Sequence, residues 1–191
     1  YDDIRSLSNS ELVDLQLSKS AWHSRRARVV LQNRAAKGQV QEESHAALRE
    51  LFESNTNGDH RLRALWALHV SGGIDETGLS EALHDGDEYI RAWAIQLLCE
   101  DKAPGSAVRS QFASMAKEDE SPVVRLYLAS ALQRMRPENR WPVAANLVTH
   151  AEDAEDHNIP KIIWYGMEPL VADHPERALK LADQSRIPML T

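Results

Sequence analysis

One cysteine, Cys99, is all the thiol chemistry in the 191 residues, so no intramolecular disulfide can form. A lone cysteine supplies neither a CxxC zinc half-site nor a CxxCH haem attachment. It lies in the run 94–99, which reads as a buried or half-buried thiol. No stretch approaches the ~20 apolar residues of a membrane helix, and no signal peptide opens the chain. Basic charge is scarce: Lys and Arg number 22 against 29 Asp and Glu, a formal charge of −7. That balance disfavours a nucleic-acid partner, whose affinity rests on phosphate neutralisation. No β-type alternation runs beyond a few residues, no Gly-rich phosphate loop appears, and no serine sits in a nucleophile-elbow context.

What the chain has instead is a recurring phrase. An acidic or amide residue stands six positions before a basic one, and the basic one opens an apolar helical run. The copies are Asn57 with Arg63, Asp85 with Arg91, Asp119 with Arg125 and Glu155 with Lys161. A degenerate copy places Lys19 in the acidic slot before Arg25. Successive basic positions are 38, 28, 34 and 36 residues apart, the range of helical-pair repeats.

Each basic anchor lies in the second helix of a pair. The pairs fall at roughly 9–37, 40–71, 75–100, 104–136 and 140–172, with a sixth beginning at 175–191. Within them, periodicity predicts helices at 10–15, 22–36, 41–53, 60–70, 77–83, 88–98, 106–117, 122–135, 142–151, 159–167 and 175–182. Ser10 or Asn9, Asp59, Asp87, Ser121 and Asn158 are the expected N-caps. Ser121-Pro122 adds a proline where no amide donor is needed. Glycines 38, 58, 72, 73, 86 and 105 are expected between helices. Three apolar stripes predict the core: Leu62, Leu65, Trp66 and Val70; Ile90, Ala94, Leu97 and Leu98; Val124, Leu128, Ala131 and Leu132.

Two places invite a chemical reading. His150, Glu152, Asp153, Glu155, Asp156 and His157 could supply metal ligands, but no HExxH or EF-hand spacing accompanies them. The bland reading is a solvated acidic loop between helices. Trp22 and His23 with Arg25, Arg26, Arg28 and Arg34 form the one basic patch. It reads as a solvated helix face rather than a phosphate site, or as a partner surface with Trp22, Arg25, Arg26 and Arg28 as its anchors, since Trp and Arg dominate interface hot spots.

The phrase leading into Ala- and Leu-rich helices resembles the HEAT repeat family, and the resemblance implies an all-α, right-handed superhelix of about five pairs. It also implies a polar ladder in which turn acids and helix bases reach between neighbouring repeats. Asp85, Asp119, Arg63, Arg91, Arg125 and Lys161 are its expected members. More specifically, 7–13, 22–26, 62–69, 156–160 and 163–170 together resemble the helical-repeat region of large bacterial membrane-bound dehydrogenases. Those proteins carry a propeller, HEAT repeats and a cytochrome c domain. The resemblance implies an exported or membrane-associated, redox-linked parent of which this chain is a segment, with haem c elsewhere. It transfers no catalytic residue and no cofactor ligand.

The expectation is therefore a non-enzymatic scaffold or protein-interaction module, contacting flanking domains or a protein partner. The rivals are a HEAT-like DNA glycosylase, which would need a basic groove with a catalytic Asp, and a HEAT-repeat lyase subunit handling a bilin-type pigment.

Overall fold

The computed structural model describes residues 3–101 and 103–191. They form eleven α-helices and short 3₁₀ turns, with no strand among the described residues. The chain is all-α. In order the helices are α1 (Asn9–Asp14), α2 (Ala21–Ala35), α3 (Glu42–Ser54), α4 (Gly58–Ser71), α5 (Glu76–Ala82), α6 (Glu88–Leu98), α7 (Ser106–Glu118), α8 (Pro122–Leu132), α9 (Trp141–Leu147), α10 (Ile159–Val171) and α11 (Pro175–Gln184).

Local chemistry explains where they start. Ser8, not Ser10 or Asn9, caps α1, because Glu11 lies three residues on and closes a capping box with it. Asn57, not Asp59, caps α4 by accepting the amide of His60, which draws Gly58 and Asp59 into the first turn. Asp87 and Ser121 cap α6 and α8 as their sequence positions predict. Asn158 makes no side-chain cap at α10. Asp156 takes that role, accepting the amides of Asn158 and Ile159 at 2.8 Å each. α10 runs on through Pro169 to Val171, while α9 stops at Leu147, well short of residue 151. Gly38 and Gly72 have positive φ, and Gly72 ends α4 in the left-handed conformation.

The contacts group into two compact units, one up to Glu81 and one from Ala82 onward. In the first, α2 packs on α1 and α4, and α3 packs on α4. Leu12, Leu31, Leu48, Leu65 and Leu68 are fully buried there. Leu62, Trp66 and Val70 are only half-buried.

In the second unit α6 packs on α8, α8 on α10, and α7 on α9. Second helices thus touch second helices, and first touch first. Ile90, Ala94, Val124, Ala129 and Leu128 are fully buried at these contacts. Small residues let the backbones approach. At Gly166 on α10 an added Cβ would stand 2.7 Å from Leu132 on α8, closer than carbon atoms pack.

Candidate functional site

In the second unit the repeated phrase becomes a repeated ionic contact. Arg91 donates through Nε to Asp119 Oδ2 at 2.8 Å and through Nη2 to Oδ1 at 3.0 Å. Arg125 grips Asp153 the same way, at 2.6 Å for both bonds. Planar, two-point pairing of this kind is what guanidinium and carboxylate geometry favour. The remaining nitrogen of each arginine turns back to its own turn. Arg91 Nη1 donates to the Asp85 carbonyl at 2.9 Å, and Arg125 Nη1 to those of Asp119 and Glu120 at 3.0 Å. Hydrogen bonding to the partner aspartate holds both guanidiniums above their ordinary pKa.

The other expected ladder positions lie differently. Arg63 donates through Nη1 to the backbone carbonyls of Ser18 at 2.7 Å and Gln16 at 3.3 Å. Asp85 accepts the amide of Asp87 at 2.9 Å. Lys161 is exposed and forms no ion pair among the described residues, and Glu155 is likewise exposed. The buried carboxylate before α10 is Asp153, two residues earlier than the six-residue phrase predicts. A 3₁₀ turn, Ala151–Asp153, swings it inward.

That turn also disposes the His150–His157 cluster. His150 Nδ1 pairs with Glu152 Oε1 at 2.9 Å, and its Nε2 meets the Ala116 carbonyl at 2.9 Å. Asp153 is taken by Arg125 and Asp156 by the amides of α10. No group of three or more His, Cys, Asp or Glu among the described residues is placed to hold a metal ion. Cys99 is fully buried, and burial pushes its thiol up to about 12.

The basic patch on α2 divides into three parts. Arg34 is a strut, donating to Asn9 Oδ1 at 2.6 Å and to the carbonyls of Leu7 and Arg5. Arg28 is half-buried rather than solvated. Its guanidinium lies 4.9 Å from the centre of the Trp66 ring and donates to Gln16 Oε1 at 3.3 Å. Burial lowers its pKa to about 10, with further lowering by the charges of Arg63 and Arg25. Arg25 and Arg26 stand in solvent, flanked by Trp22 at 60% exposure and Val29 at 43%.

A second feature had only a weak sequence signal. An apolar cleft of about 430 Å³ opens at the C-terminal end of the second unit, lined by Trp141, Ile163, Trp164, Met167, Leu179 and Met189 among others. Trp141 carries Arg177 4.9 Å above its ring and His174 at its edge. Its indole Nε1 is buried without a hydrogen-bond partner among the described residues. The sequence clue is the spacing of Ala178, Leu181 and Ala182, which puts them on one face of α11. No helix among the described residues is long and apolar enough to cross a membrane.

No protein-family model matches the chain, and no curated protein matches it significantly.

Proposed function

We propose that the chain is a non-enzymatic helical-repeat module of HEAT type, a right-handed superhelical scaffold that holds flanking domains or a protein partner. The observation that carries this reading is the reuse of one contact. Arg91 with Asp119 and Arg125 with Asp153 share the same two-point geometry and the same 28-residue separation. Stacked helical pairs contact mainly their sequence neighbours, so one junction contact can be reused along an array; here two successive junctions share it. Packing of α6 on α8 on α10, with α7 on α9, supports the same reading.

By resemblance, the module belongs to a multidomain, redox-associated bacterial protein, where it sets the distance between a propeller and a cytochrome domain. In that parent, shortening the repeats by residues 82–135 should slow electron transfer between the two domains. The purified segment alone should carry no stoichiometric metal and reduce no dye acceptor with sugars. Transfer that survives the deletion unchanged would remove the spacer role, and turnover by the segment would remove the non-enzymatic one. A duplex-DNA mobility shift tests the glycosylase rival, which the net charge of −7 disfavours.

A further inference from the structure

On α2, Trp22, Arg25, Arg26 and Val29 are spaced i, i+3, i+4 and i+7, so they share one face of the helix. All four are exposed. Leu17, just before the helix, adds a third exposed apolar side chain at 41%. The face is therefore cationic in its middle and apolar at both ends.

The charge on this face has no counterion among the described residues. None of Arg25, Arg26 and Arg28 forms an ion pair among the described residues. The repeat register explains why. Arg91 finds its acid at Asp119, the acidic slot of the following pair. In that register Arg25 would meet position 57, where an asparagine stands and spends its side-chain oxygen capping α4. The slot before Arg25 holds Lys19. Arg28 and Arg63 add positive potential behind the stripe. Their hydrogen-bond acceptors are neutral: Gln16 Oε1 for Arg28 and the Gln16 and Ser18 carbonyls for Arg63. Elsewhere the chain is acidic enough to leave a net −7.

We infer that the Trp22–Val29 face of α2 docks an acidic amphipathic segment of a protein partner. Carboxylates of the segment would meet Arg25 and Arg26, and its apolar side chains would cover Trp22 and Val29. Charge complementarity supports this occupant, and Trp beside Arg is the composition of an interface hot spot. Apolar ends on the stripe favour such a segment over a phosphate backbone, which offers no greasy surface to match. The inference rests on the interaction-module reading and gives that module a partner chemistry.

The test is fluorescence anisotropy with a labelled helix-forming peptide of alternating Glu and Leu turns, and with its Lys counterpart. The whole chain should bind the Glu peptide, at least tenfold more tightly than the Lys peptide, and more weakly as salt rises. Arg25→Glu/Arg26→Glu should weaken the Glu peptide at least tenfold and improve the Lys peptide. Trp22→Ser should weaken the Glu peptide without inverting the preference. These residues are exposed and none forms an ion pair among the described residues, so circular dichroism should show both variants folded. Absence of Glu-peptide binding at millimolar concentration, or binding indifferent to charge reversal, overturns the inference. Tighter binding of duplex DNA than of the Glu peptide overturns it too. Each of these failures leaves the spacer experiment on the parent unaffected, so the two readings fail separately.

Discussion

Arg125 and Asp153 face each other across two hydrogen bonds of 2.6 Å, and both residues are only 2% exposed. Arg91 and Asp119 share the geometry but sit nearer solvent, at 18% and 9% side-chain exposure. Truncating one member of a buried pair strands the other charge, so Arg125→Ala should cost about 3–5 kcal/mol. Arg91→Ala should cost about 1–3 kcal/mol, and exposed Arg26→Ala less than ~0.5 kcal/mol. Urea melts of the three variants check the order. Equal losses would remove any special role for the two pairs.

Gly166 on α10 packs directly against Leu132 on α8. Because its Cβ would stand 2.7 Å from Leu132, Gly166→Ala must push the helices apart. Overpacking of this size costs about 1–3 kcal/mol. Gly86→Ala, with no heavy atom within 4 Å of the new methyl and no positive φ, should shift stability by less than ~0.5 kcal/mol. Thermal melts of the two single variants read the contrast directly.

Cys99 should be silent in the folded protein. It is fully buried with its thiol raised to about 12, so almost none of it is thiolate at neutral pH. A disulfide reagent at about pH 8 should label it only after denaturation, in step with unfolding followed by circular dichroism. Rapid labelling of the native chain would place the thiol at the surface.

Hydrogen bonds from the Ile159 and Asn158 amides hold the Asp156 carboxyl below its ordinary 3.8. A carboxylate whose pKa falls on folding stabilises the fold above its unfolded value. That contribution disappears as pH drops through the lower, folded value. Asp156→Ala should therefore lose about 1 kcal/mol at neutral pH, and the gap to the unsubstituted chain should close as pH falls through the lowered, folded-state value of this carboxyl. Urea melts at several pH values check the closing. A gap that widens in acid would contradict the assignment.

Much of this fold could be read from letters alone, and the reasons are local. Asp87 and Glu88–Leu98 combine a cap with an uninterrupted apolar stripe, so α6 falls where periodicity predicts. Arg91 and Asp119 were legible because both occupy the repeated phrase. Asp153 was not, because the loop before α10 holds several acids and a 3₁₀ turn selects among them. Arg28 and Arg34 look the same in sequence as Arg25. What separates them is what arrives from elsewhere: Trp66 on α4 for Arg28, and Asn9 with the Leu7 carbonyl for Arg34. The C-terminal cleft depends on how α10, α11 and the final turn meet, which no single periodicity encodes.

Asp119 serves two arginines at once: its carboxylate takes Arg91 from one pair, and its backbone carbonyl takes Arg125 from the next. Loosening this one turn would therefore release α6 and α8 together. In hydrogen–deuterium exchange, the amides of these two helices should share a single opening free energy and exchange as one block. Arg91→Ala should split that block in two, before any global unfolding is seen.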